Sequence, residues 1–310
     1  MTPQSLDLAE WQRHEAAHAD RVDRLTRAHR ERAGGGRAHP VEDFLFTYYR
    51  HRPARLRRWH PGAGVVLEDA SGLDRAAWRH YRATGAGVEV DVPAFLEARG
   101  PTVSFVRSLL SATMARPAQY GCFGLHEWAM VHRLPADDVR HAGYPLRLGR
   151  EGTDAVVEQH GIRCSHFDAY RFFTESARPL NALQPTREGQ VASEQPGCLH
   201  AGMDVYKWAF KLSPLLPSDL VLDAFVLARA IRVLDMQASP YDLSALGHEP
   251  VPIETPEGKA AYVERQRDFT LRTNDLRHRL LAALPPVLSA ESGALRAVMA
   301  SPGPDPAGSS

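Results

Sequence analysis

Hydrophobic positions recur with a helical period over most of the chain, most clearly between Gly197 and Leu243. That stretch predicts two helices, Gly202–Leu212 and Ser218–Gln237, separated by a Ser213-Pro214…Pro217 break. Leu220, Ala224, Leu227, Ala228, Ile231 and Leu234 place one face of the second helix in a core, with Ser218 as its cap and Asp219 in its first turn. Val92 to Arg116 predicts a helix split at Gly100-Pro101, and Thr255-Pro-Glu-Gly opens a last helix from Lys259 to about Leu284. Val41, Phe44, Leu45, Tyr48 and Tyr49 predict a helix entered through Pro40. Another short turn follows at Leu56 to Trp59, and a short helix near Arg75–Tyr81. Gly64 to Leu67 suits a strand, and the β-branched, alternating stretch from Pro145 to Phe173 predicts two or three more. The fold class expected is mainly α: a single helical domain with a small β element near 145–173.

Residues 1–37 form a charged helix with Leu8, Trp11, Val22 and Leu25 on one side, ending in the joint Gly34-Gly35-Gly36. They predict an appended element beside one globular domain, 38–286. Residues 287–310 end in a Pro, Gly, Ser and Ala-rich tail, expected to be mostly disordered. HEAAH at His14 to His18 has the spacing of the H-E-x-x-H zinc motif. It lies among charged residues without an apolar helix around it, so a solvated face is the better reading. The long polar segments 174–197 and 238–258 are loops of a length that often carries function.

Composition narrows the classes. Lys and Arg together number 37, as do Asp and Glu, so no global charge draws the chain to nucleic acid or to an anionic surface. No apolar run of roughly 18 residues occurs, so no membrane partner is expected. The N-terminus has no signal-peptide pattern, and 3 cysteines leave a disulfide framework unpaired. A cytoplasmic location follows as the expectation.

Each cysteine has a histidine nearby: Cys122 with His126, Cys164 with His166, Cys198 with His200. Thiolate and imidazole are metal ligands. The spacings are uneven and no C-x-x-C occurs, so the expected structure has no disulfide, no structural metal and no required cofactor. A metal held by His, Cys and Asp stays open. Phosphate-binding loops and the G-x-S-x-G elbow are missing. What remains is carboxylates among aromatics. Asp204, Asp235, Glu127 and His200 are the candidate catalytic residues, and Trp208, Tyr241, Trp128 and Asp168 the candidate substrate contacts. If the two central helices pack antiparallel, Asp204 and Asp235 share a pocket with Trp208 and Tyr241, and mutual repulsion raises one carboxyl pKa. The ordinary alternative pairs Asp204 with Lys207 or Lys211, and Asp235 with Arg232 or Arg229. The run His51 to His60 adds Arg57 and Arg58 as candidate phosphate contacts beside that pocket.

The segments HPVEDFLFTYYRHRPARLRRWHPG, GCFGLHEWAMVHR, RCSHFDAYRFFTESARPLNALQPTR and GCLHAGMD through ASPYDLSALGHEPVPIETPEGKAAY resemble a bacterial family, frequent in actinobacteria. It is carried under the name 3-methyladenine DNA glycosylase, and the resemblance spans roughly residues 39–285. It implies a DNA-repair hydrolase that cuts the N-glycosidic bond of alkylated purines, with DNA as partner. It brings no catalytic residue motif by motif, so the candidates above rest on the side chains themselves. Aromatic faces would stack on a cationic base, and a carboxylate would activate water or stabilise the oxocarbenium ion. The alternative is a small-molecule enzyme, with or without a metal, built on the His/Cys/Asp set.

Overall fold

A computed structural model describes residues 4–135 and 143–286. The expected tail at 287–310 lies outside the described residues. The fold is mainly α with one small sheet. In chain order the helices are α1 (Leu8–Gly34), α2 (Phe44–Tyr48), α3 (Pro53–Leu56), α4 (Val92–Met114), α5 (Leu125–Ala129) and α6 (Gly149–Gln159). Then come α7 (Phe167–Tyr170), α8 (Gln190–Ser193), α9 (Leu199–Lys211), α10 (Ser218–Gln237) and α11 (Pro256–Ala283). No described helix is long and apolar enough to cross a membrane.

The small sheet is not where its sequence signal pointed. Its strands are β1 (Gln4–Leu6), β2 (Val65–Leu67), β3 (Tyr81–Thr84) and β4 (Gly87–Val90), in the order β1-β2-β4-β3. β1 runs parallel to β2, and the other neighbours are antiparallel. Only the strand foreseen at Val65–Leu67 matches. Gly87, at φ 146°, closes the β3–β4 hairpin where a Cβ would stand 2.2 Å from the Leu67 carbonyl oxygen. In 145–173 the chain instead forms α6 and α7, with single bridges Leu146–Tyr241 and Ile162–Asn181. The β-branched Val156 and Val157 are buried on one helical face, so packing overrides their strand preference.

α1 is not an appendage. Trp11, Val22 and Leu6 belong to the main core, and β1 pairs with β2. The HEAAH motif is half inside: buried His18 bonds the Leu56 carbonyl through Nε2 at 2.8 Å, and Glu15 pairs with buried Arg75. At the C-terminal end Arg32 and His29 clasp Asp43, which also accepts from the His39 amide at 2.9 Å. This clasp fixes the 38–43 segment.

The centre is α9 against α10, with α11 across both. The two helices are antiparallel, and Gly202 allows the approach: a Cβ there would sit 3.0 Å from Ile231 Cδ1 and 3.4 Å from Thr273 Oγ1. α11 holds the entry to α9 with buried polar groups. Gln266 donates to the Gly197 carbonyl at 2.5 Å and Arg277 to the Ala201 carbonyl at 3.0 Å. α4 runs unbroken through Pro101, because Phe95 before it and Val103, Val106, Leu109 and Leu110 after it all bury on the same core. Pro217, not Ser218, caps α10; Ser218 is buried and accepts from the His60 amide at 2.8 Å.

Candidate functional site

The antiparallel α9–α10 pair returns the end of α10 to the start of α9, and α5 lies over that end. α5 is entered through Gly124, whose φ of 77° suits glycine and whose position packs on Ala238 and Tyr262. Three elements therefore converge. α5 gives His126 and Glu127, α9 gives His200 and Asp204 one turn apart, and α10 gives Arg232 and Asp235. His166, before α7, and Glu194, after α8, complete the group from the long loops. All eight side chains are buried.

They form two adjoining sets. In the first, His126 Nε2 lies 2.8 Å from Asp235 Oδ1, and Arg232 donates to Asp235 Oδ2 at 2.6 Å and to Glu127 at 2.7 Å. The His200 ring meets His126 edge-on at 4.3 Å. In the second, Asp204 accepts from Tyr49 and from Lys207, each at 2.7 Å. His166 Nε2 lies 3.4 Å from both Asp204 and Glu194, in ion-pair contact without hydrogen-bond geometry. The His166 and His200 rings, 5.4 Å apart, join the sets. Both ring nitrogens of His166, and Nδ1 of His200, are buried without a hydrogen-bond partner. Within each set, one donor atom from every His, Asp and Glu lies within 4.8 Å of the others: His126, Glu127, His200 and Asp235, then His166, Glu194 and Asp204. Either set offers the N and O donors of a transition-metal site.

The protonation pattern follows from these neighbours. Burial alone would raise Asp204 and Asp235, but Lys207 and His166 hold the first, and His126 and Arg232 the second, well below the usual carboxylate range. The expected raised carboxyl is therefore neither aspartate; burial raises Glu194 instead. Burial opposes charge on His126 and His166, yet Asp235 raises the one and Asp204 with Glu194 the other. Burial and the neighbouring His126 push His200 down, leaving it a neutral imidazole.

A cavity of about 530 Å³ opens onto the first set through Glu127, His200 and Arg232. Phe44, Tyr48 and Phe172 give it flat walls, and Arg50 and Arg171 add positive charge. The 38–43 segment clasped to α1 forms part of its wall.

Of the residues singled out from sequence, Glu127, His200 and Asp168 line this cavity. Asp204 and Asp235 lie next to it but do not share a pocket with each other. Each has its ordinary helix partner, Lys207 and Arg232, with further partners added. Trp208 faces elsewhere: it packs in the core against Phe105 and under the Lys207 and Lys211 ammonium groups. Tyr241 sits in a separate small core with Val41, Val131, Met236 and Leu243. Trp128 is wholly buried and donates to the Ala238 carbonyl at 2.8 Å. None of these three aromatics is a cavity contact. Arg57 points to α1 and binds Asp23, and Arg58 covers Trp78 at a second cavity. The basic run is therefore not beside the first cavity; only Arg50, just before it, is. The three cysteines are free thiols.

Sequence reasoning named His126 and His166 only as neighbours of cysteines, and Arg232 only as an ion-pair partner. Glu194 carried no signal beyond its place in a long loop. In comparisons with known proteins, no family model, no curated protein and no solved structure matches the chain.

Proposed function

We propose that the chain is a metal-dependent hydrolase acting on a small molecule in the cytoplasm. One observation carries the reading: the two adjoining His/carboxylate sets are short of positive charge. Four carboxylates, Glu127, Glu194, Asp204 and Asp235, are buried there, against two fixed cations, Arg232 and Lys207. Buried charge needs compensation. Without a metal, protons on His126 and His166 supply it. A divalent cation in each set supplies it better, takes up the unpartnered nitrogens of His200 and His166, and releases those protons.

In this reading His126, Glu127, His200 and Asp235 hold the ion nearer the cavity, and His166, Glu194 and Asp204 hold its neighbour. Ions held there would supply a nucleophile derived from water at neutral pH. Arg50 and Arg171 take an anionic group of the substrate, and Phe44, Tyr48 and Phe172 its flat apolar part. Elemental analysis of protein grown with added Zn, Mn and Fe should find about two equivalents of metal. His200→Ala and His166→Ala should each lose one. Absence of metal, together with no shift in melting temperature on adding these ions, would overturn the reading.

A second reading, excision of alkylated purines from DNA, is favoured by the Glu127 carboxylate lying at a cavity lined by Phe44, Tyr48 and Phe172. These would stack a cationic base above an acid. Base release from methylated DNA that persists in EDTA and disappears in Glu127→Gln would select it.

A further inference from the structure

A second cavity, of about 310 Å³, lies at the other end of α9. His200 and Lys211, on the two cavities, are separated by about 16 Å along the helix axis. Its charged lining is of one sign: Arg55, Arg58, Arg79, Arg99 and Lys211, with no aspartate or glutamate among the lining residues. Among the described residues, none of these five cations lies within 4.0 Å of a carboxylate, whereas twelve other arginines are ion-paired. They come from four separate parts of the chain: α3 with the residue after its cap, the loop before β3, α4, and the end of α9. So the concentration of charge is a product of folding, not of one basic run.

Two further features point inward. His51, buried and stacked on Phe210 at 3.8 Å, lines the cavity with its Nδ1 unpartnered. The first turn of the 20-residue helix α10 also lines it, through Ser218 and Val221, turning the positive end of that helix dipole toward the space. Trp78 and Phe95 form flat apolar wall, and the Arg58 guanidinium already covers Trp78 at 5.1 Å.

Like charges gathered in a concave site repel one another and are stabilised by an anion that neutralises several at once. Guanidinium groups match the oxygens of phosphate in pairs. We propose that this cavity binds a phosphorylated small molecule carrying a flat ring, its phosphates on Arg55, Arg58, Arg99 and Lys211 and its ring against Trp78. The site is separate from the His/carboxylate sets and does not depend on what they bind.

The test is calorimetric titration with ADP and with inorganic pyrophosphate at 150 mM salt, in EDTA so that no metal ion contributes. Both should bind. Arg58→Ala with Arg99→Ala should weaken both by about tenfold or more; these side chains are exposed, so the variant folds, checked by an unchanged melting curve. Trp78→Ala should weaken ADP and spare pyrophosphate. No binding of either probe at millimolar concentration, or equal affinity in the double variant, overturns the site. ADP binding unaffected by Trp78→Ala overturns the ring assignment. A duplex oligonucleotide that binds through the same arginines while both small probes fail overturns it in favour of nucleic acid.

Discussion

The two cavities flank one helix and solve opposite electrostatic problems. At the start of α9 four acids are buried and every one has a partner: Asp235 on His126 and Arg232, Glu127 on Arg232, Asp204 on Tyr49 and Lys207, Glu194 on Gln190 and His166. At its end the cations are left unpaired, and exposure to water lets them be. Desolvation separates the two: a buried charge without a partner costs several kcal/mol, an exposed one little. The first region is therefore a network in which each group depends on the next, and the second a set of independent side chains.

The largest effect should follow from breaking the network. Arg232→Met leaves Asp235 and Glu127 buried and facing each other. In metal-free protein it should cost about 3–5 kcal/mol, read as a fall in the urea midpoint. Asp235→Asn should cost less, since Arg232 keeps Glu127, but it will not be silent. Asp235 is fully buried between His126 and Arg232, so its carboxylate cannot be exchanged for an amide without loss. A loss below about 1 kcal/mol for Arg232→Met would mean that water reaches the network and that the contrast between the regions is overstated.

The contrast also shows what the chain discloses before it folds. The α9–α10 pair was legible because its apolar face repeats over Leu220 to Leu234, and its antiparallel packing followed from the short Pro-containing link. That packing correctly returned Asp235 toward His200. It did not bring Trp208 or Tyr241 to the site, since helical spacing says which residues share a face but not which neighbouring element covers it. The small sheet was misplaced for a related reason. Val156 and Val157 read as strand by type, whereas β1, only Gln4–Leu6, is held by pairing with a segment some sixty residues away. Glu194 and His166 were invisible as a pair because they are joined only by tertiary structure. Cys122, Cys164 and Cys198 marked the right neighbourhood through the adjacent histidines, although the candidate ligands are His, Asp and Glu.

A middle-sized effect comes from pH, where the two regions slope in opposite directions. Burial first, then Lys211 and Arg55, lower His51 to about 4. The folded state thus binds fewer protons than the unfolded chain between pH 6.5 and 4, so this contribution is present above about pH 6.5 and lost as pH falls. His166 is raised, despite its burial, by Asp204 and Glu194. Its contribution in metal-free protein is present below about pH 6.5 and lost as pH rises through its folded pKa. His51→Gln should flatten the acid limb of a stability–pH curve by about 2–3 kcal/mol between pH 7 and 4. An unchanged acid limb would show that the end of α9 is better hydrated than its burial indicates.

The smallest effect belongs to the exposed rim of the basic cavity. Arg99 stands in the third turn of α4 with no carboxylate in reach, so Arg99→Met removes no ion pair and no buried contact. It removes one of five like charges around a concavity, which favours the folded state, and it removes a good helix former for another of similar propensity, which is neutral. The net change in the ligand-free protein should lie within about 0.5 kcal/mol of zero, tending to stabilise, and the tendency should fade as salt screens the repulsion. Adding pyrophosphate should reverse the order of the two proteins, because an anion that binds only the folded state raises its melting temperature in proportion to affinity. Wild type should then melt above Arg99→Met, having melted level with it or below it before. A loss of stability greater than about 1 kcal/mol without ligand would show that Arg99 is held by the fold itself. The rim would then resemble the buried network, and the difference between the two ends of α9 would be one of degree.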